Sequence, residues 1–119
     1  MARSVLVVDD DASFRRLAGR LMISWGHVVL GEAGTVEEAL TRAAELEPEV
    51  VLADIGLPDG DGFGLTRALV ARPDPPAVIL ISSDSDAANG QAAVRVGARG
   101  FVPKDELLSG PLRALIDAG

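Results

Sequence analysis

The chain has no cysteine, which excludes a disulfide framework, a thiolate metal site and a catalytic thiol. Such a composition suits a reducing compartment, and a cytoplasmic protein is expected. Positive charge is also scarce. Eleven basic residues face 18 acidic ones, for a net charge of −7, which works against nonspecific attraction to nucleic acid or anionic lipid. No direct nucleic-acid or membrane contact is therefore expected. Long apolar runs are missing too. The opening "MARSVLVVDDD" turns acidic at Asp9, so it reads as neither a signal peptide nor a membrane span. Lysine and histidine occur once each, as Lys104 and His27.

What is present is an ordinary globular balance, 48% hydrophobic and 24% charged over 119 residues. That length fits one domain, residues 1–119, with no output domain attached. Short runs rich in β-branched residues recur at 4–8, 27–31, 49–53, 77–82 and 99–103. Most lack strict alternation, as parallel strands covered on both faces do. Helical patterns fill the gaps. Phe14, Leu17, Ala18, Leu21, Met22 and Trp25 share one helix face. Thr35 and Glu38 form a capping box ahead of Val36, Ala39, Leu40 and Ala43, which are expected to face inward. Leu65, Ala68 and Leu69 mark a third helix, stopped by "RPDPP". A fourth, over 87–96, is built of alanine and valine around Gly90 and is expected to be thinly packed and mobile. Ser109, Gly110 and Pro111 announce a last helix running through Ala118. The pattern predicts a single α/β domain, an open parallel sheet with helices on both sides.

In such sheets, ligands gather beyond the carboxyl ends of the strands. The stretch "VVLADIGLPDGDG" (50–62) ends an apolar strand on Asp54, and "VLVVDDD" places Asp9, Asp10 and Asp11 after the first strand. If those two strands are neighbours, Asp9, Asp10 and Asp54 converge. Two carboxylates about 4 Å apart repel by about 4 kcal/mol at an effective dielectric near 20. Three of them must take up protons or hold a cation. An all-oxygen set favours a hard ion, with Mg²⁺ the natural candidate. Asp11 is assigned to capping the first helix. Ser82 ends the fourth strand and Lys104 the fifth, bringing a hydroxyl and an ammonium to the same edge.

With "VLVVDD", "DIGLPDGDG", "VILIS" and "GARGFVPK" in this order, the chain resembles a response-regulator receiver domain of bacterial two-component signalling over essentially its whole length. The resemblance implies a flavodoxin-like (βα)5 fold with strand order 2-1-3-4-5. It implies that Asp54 accepts a phosphoryl group from a sensor histidine kinase, a phosphotransfer protein or acetyl phosphate. Asp9, Asp10, Asp54 and the Gly56 carbonyl would hold Mg²⁺, while Ser82 and Lys104 would contact phosphoryl oxygens. Phe101 matches the aromatic whose rotamer reports activation. The implied readout is the surface of the fourth helix, fifth strand and last helix, presented to a downstream protein or output domain or used in a phosphorylation-linked homodimer. The only catalysis implied is the chain's own phosphorylation and dephosphorylation.

The sequence also departs from the common pattern. Asp105 rather than proline follows the lysine, as in one large branch of the family. Pro103 removes a strand donor and is tolerable only on an edge. Ser82 lacks a methyl and Phe101 a hydroxyl. Gly56 and Asp84 occupy positions that tune phosphate lifetime in the family. "GDGFG" (60–64) lacks the spacing of a phosphate-cradling loop and reads as a turn and helix start. Trp25 and His27 read as structural. Two rivals stand beside this reading. A small aspartate-nucleophile phosphatase would need an acid two residues after Asp54, where Gly56 stands, and a substrate cap. A degenerate receiver that only binds partners is disfavoured by the intact set of acids.

Overall fold

The computed structural model describes residues 2–84, 86–108 and 110–118. Its main sheet comprises β1 (Ser4–Val8), β2 (Val28–Ala33), β3 (Val50–Asp54), β6 (Ala77–Ser82) and β7 (Gly100–Pro103). They are ordered β2-β1-β3-β6-β7 with every pairing parallel. Counting only these five, the order is 2-1-3-4-5. A small antiparallel pair, β4 (Gly56–Leu57) and β5 (Gly60–Asp61), folds the loop after β3. The helices are α1 (Ala12–Ser24), α2 (Val36–Leu46), α3 (Gly62–Val70), α4 (Ala87–Arg95) and α5 (Gly110–Asp117).

The central strands are apolar except at their ends because both faces are covered. Leu6, Val8, Val51, Ala53 and Leu80 pack on Ala39, Ala43, Leu65, Leu69 and Ala93 from α2, α3 and α4. On the other face, Val5, Val7, Leu52, Ile79 and Ile81 meet Ala18, Met22, Leu112 and Ile116 from α1 and α5. Burying one such Leu or Ile side chain stabilises the fold by about 1.5–3 kcal/mol, so these two layers carry the sheet. β7 lies at the edge, and Pro103, opposite Ser82, is its last residue, so the missing donor falls at the strand end and not within the ladder.

Local chemistry sets the helix ends. The Asp11 carboxylate accepts from the Ser13 and Phe14 amides at the start of α1. Thr35 accepts from the Glu38 amide, but Glu38 reaches back to Gly34 N–H rather than to Thr35, so the expected box closes one residue early. After α4, Gly97 at φ 97° lets Ala98 N–H return to the Ala93 carbonyl. The Ser109 cap lies outside the described residues.

Two residues that follow the helical spacing lie off the buried face. Leu17 is 57% exposed. It shares the apolar period of α1, but it sits at the margin of the face, over the loop that follows β7 rather than over the sheet. On α3, Ala68 is exposed and Thr66 is buried, its hydroxyl satisfied by donating to the Gly62 carbonyl at 2.7 Å. Trp25 is half-buried at the end of α1. His27 is buried, with Nδ1 accepting from the Arg3 amide at 3.0 Å.

Candidate functional site

The parallel register brings the strand ends into line. β1 and β3 are neighbours with Val8 opposite Ala53, so the next residues, Asp9 and Asp54, emerge side by side. Asp54 stands opposite Ile81 and Ser82 opposite Pro103, which places the Ser82 and Lys104 positions on the same edge. Ligand oxygens of Asp9, Asp10 and Asp54 lie within 4.8 Å of one another. Asp9 is fully buried, Asp54 is 9% exposed, and Asp10 is open to solvent.

Each carboxylate has a distinct environment. Asp9 Oδ1 accepts from Asp11 N–H at 2.8 Å. Its Oδ2 is buried and makes no well-angled hydrogen bond, although Lys104 Nζ lies 2.6 Å away as an ion pair. Asp54 Oδ2 accepts from Lys104 Nζ at 3.2 Å, and Oδ1 accepts weakly from Gly56 N–H at 3.3 Å. Asp10 has no hydrogen-bond or ion-pair partner among the described residues.

The charges respond accordingly. Burial raises the pKa of Asp9, and the hydrogen bonds and positive charge of its neighbours offset this only in part. Burial alone would lower that of Lys104, but hydrogen bonding and attraction to Asp9 and Asp54 win and raise it. One ammonium therefore stands between two acids without neutralising the set. The ammonium also lies 4.2 Å from the centre of the Phe14 ring, a cation–π contact on its third side.

A buried acceptor short of donors, beside two more carboxylates and no soft ligand, fits a hard divalent ion. Asp9, Asp10 and Asp54 are the side chains that could hold it. Gly56 lies at the start of β4, exposed, its amide turned to Asp54. Ser82 is buried, and its oxygen accepts from Asp84 N–H at 3.0 Å, which leaves its hydroxyl proton free to donate. Phe101 is half-buried against the layer that includes Ala93 and Ala98. After Lys104 the chain makes a single 3₁₀ turn, Lys104–Glu106.

Three supporting residues escaped the sequence reading. Phe14 shares the apolar face of α1, yet its ring lies against Lys104. Arg15 donates to the Asp9 carbonyl. Asp59 accepts from the Val36 and Glu37 amides, which holds its pKa down and ties the loop after Asp54 to α2. Only the excess of acid in that loop hinted at the last of these.

The model of the response regulator receiver domain matches residues 5–114. The chain belongs to that family. Similar proteins include protein-glutamate methylesterase/protein-glutamine glutaminase 6 of Anaeromyxobacter dehalogenans, 44% identical over 86% of this chain and 29% of that one. The DNA-binding transcriptional activator DevR/DosR of Mycobacterium tuberculosis is 41% identical over 97% of this chain and 54% of its own length. The chain thus spans about half or less of these relatives. Among solved structures, the signal receiver domain of the response regulator NarL from Mycobacterium tuberculosis superposes with a TM-score of 0.85, at 31% identity and 98% coverage of both chains. Among the described residues of this receiver domain, no helix is long and apolar enough to cross a membrane.

Proposed function

We propose that this receiver domain is a Mg²⁺-dependent phosphorylation switch in the cytoplasm, with Asp54 as the acceptor. The observation that carries the reading is the position of Asp54, nearly buried, beside two other acids and within 3.2 Å of the only lysine in the chain.

A carboxylate is a poor nucleophile toward an anionic phosphoryl group, because like charges repel. Lys104 offsets part of that repulsion and meets a phosphoryl oxygen as charge shifts toward it. Asp9, Asp10, Asp54 and the Gly56 carbonyl would hold Mg²⁺, which would supply the remaining positive charge. An Asp54 oxygen attacks phosphorus, so a P–O bond forms as the P–N bond of a phosphohistidine, or the P–O bond of acetyl phosphate, breaks. The leaving group keeps that electron pair, and Asp54 becomes an acyl phosphate.

The donor is a sensor histidine kinase or phosphotransfer protein. Leu17 and Leu108, 57% and 85% exposed, rim an apolar groove that continues from Lys104, and this supports a protein surface as one donor. Phosphorylation gives Ser82 an oxygen to bond, draws the β6–α4 loop inward and opens space for Phe101. The α4–β7–α5 surface then changes for a downstream protein, an output domain or a second copy. The chain catalyses only its own phosphorylation and dephosphorylation.

The test is acetyl phosphate labelling in Mg²⁺, located by peptide mass. One phosphoryl group on the Asp54 peptide, absent from Asp54→Asn, is the expected result. Equal labelling of Asp54→Asn would remove Asp54 from its role, and turnover of an added phosphoester would favour a phosphatase.

A further inference from the structure

Asp10 is the outermost of the three acids, and among the described residues nothing holds its side chain. Its direction must come from the backbone. The Asp9 carbonyl and the Asp10 amide belong to one rigid peptide plane. That plane is gripped by Arg15, whose Nη1 donates to the Asp9 carbonyl at 2.6 Å. The preceding peptide, Val8–Asp9, is held separately, with Asp9 N–H donating to the Ala33 carbonyl at 3.0 Å. Arg15 is itself fixed, since its Nε donates to Glu32 Oε1 at 2.8 Å. Gly34 lines the same corner, where a Cβ would make ordinary contact, 3.4 Å from Arg15 Nη1 and 3.9 Å from the Asp9 oxygen.

We infer that Arg15 is a positioning residue for the cation site: through the Asp9 carbonyl it aims Asp10 at the ion, and Glu32 both anchors the guanidinium and offsets its charge. The inference rests on the proposed Mg²⁺-dependent switch. The two directed N–H groups are the point of the arrangement. A lysine keeps the charge but presents one ammonium, which cannot reach the carboxylate and the carbonyl in the same fork. The competing role is a staple between α1 and β2. A staple would stabilise the fold with or without metal and leave the affinity for Mg²⁺ alone.

The experiment is a calorimetric Mg²⁺ titration of the whole chain, paired with melting in EDTA. Arg15→Lys should weaken Mg²⁺ binding about tenfold, the lower range for residues that orient metal ligands. Its acetyl phosphate labelling should fall at low Mg²⁺ and recover at saturating Mg²⁺. Glu32→Gln, at an exposed position that keeps the fold, should weaken binding in the same direction by a smaller factor. Arg16→Lys, whose partner is the Ser13 hydroxyl, should match the wild type. Unchanged Mg²⁺ affinity in both Arg15→Lys and Glu32→Gln, with only the melting point lowered, would overturn the inference. A wild-type chain that takes up no Mg²⁺ would instead overturn the switch on which it rests.

Discussion

Asp9 shows at the scale of one side chain how function opposes stability. Its carboxylate is fully buried, with an ammonium that only partly offsets the cost of leaving water. Its folded pKa is raised, so its contribution to stability is present below the ordinary carboxylate value and lost as pH rises through the raised one. At neutral pH the ionised group is a net burden on the metal-free fold. Asp9→Asn is therefore expected to melt higher than the wild type in EDTA, by roughly 4 °C for each kcal/mol relieved, and to lose the stabilisation that Mg²⁺ gives. For the wild type, Mg²⁺ affinity should fall on acidification from neutral, because protonating Asp9 removes a ligand charge. A melting series over pH with and without Mg²⁺ reads both effects. Lys104 has the opposite chemistry but the same direction of shift. Its contribution is full below the ordinary lysine value and fades only as pH rises through its own raised one.

Among the elements, the loop from β3 to α3 decides how firmly Asp54 is held. The β4–β5 pair folds it back, and Asp59 pins it to the start of α2. Gly62 opens α3 against the strand end, its amide donating to the Ile55 carbonyl at 2.7 Å. A Cβ there would lie 2.6 Å from the Asp54 carbonyl oxygen and 2.9 Å from Ile55 Cα. Neither backbone can yield cheaply, so Gly62→Ala should cost about 1–3 kcal/mol, the usual range for overpacking. Denaturant melts measure that loss. Slower acetyl phosphate labelling at a temperature where the variant is folded would show Asp54 displaced, and wild-type stability and rate would contradict the close approach.

Across the whole molecule, the strands were legible because burial on both faces leaves uninterrupted apolar runs, and sheet order followed from the family resemblance. Asp9, Asp10, Asp54, Ser82 and Lys104 were legible as candidates because each ends or follows a strand. The contacts that support them were not. Phe14 and Leu17 obey the same helical period, yet one ring lies against Lys104 and the other side chain faces solvent. Periodicity reports a face, not what covers its margin. Arg15 meets a backbone carbonyl, a partner with no sequence signature. At this scale the fold is a frame that forces three acids together and leaves part of their repulsion unrelieved. A cation that binds only the folded chain then stabilises it, by about 1.4 kcal/mol at ten times its dissociation constant.

The central claim is that this relief by a divalent ion is what lets Asp54 accept phosphorus. The most direct measurement is the rate of acetyl phosphate labelling at Asp54 as Mg²⁺ is raised from an EDTA baseline. The account predicts a negligible rate in EDTA that climbs with Mg²⁺ and saturates. A rate at Asp54 that is the same in EDTA as in excess Mg²⁺ would contradict it.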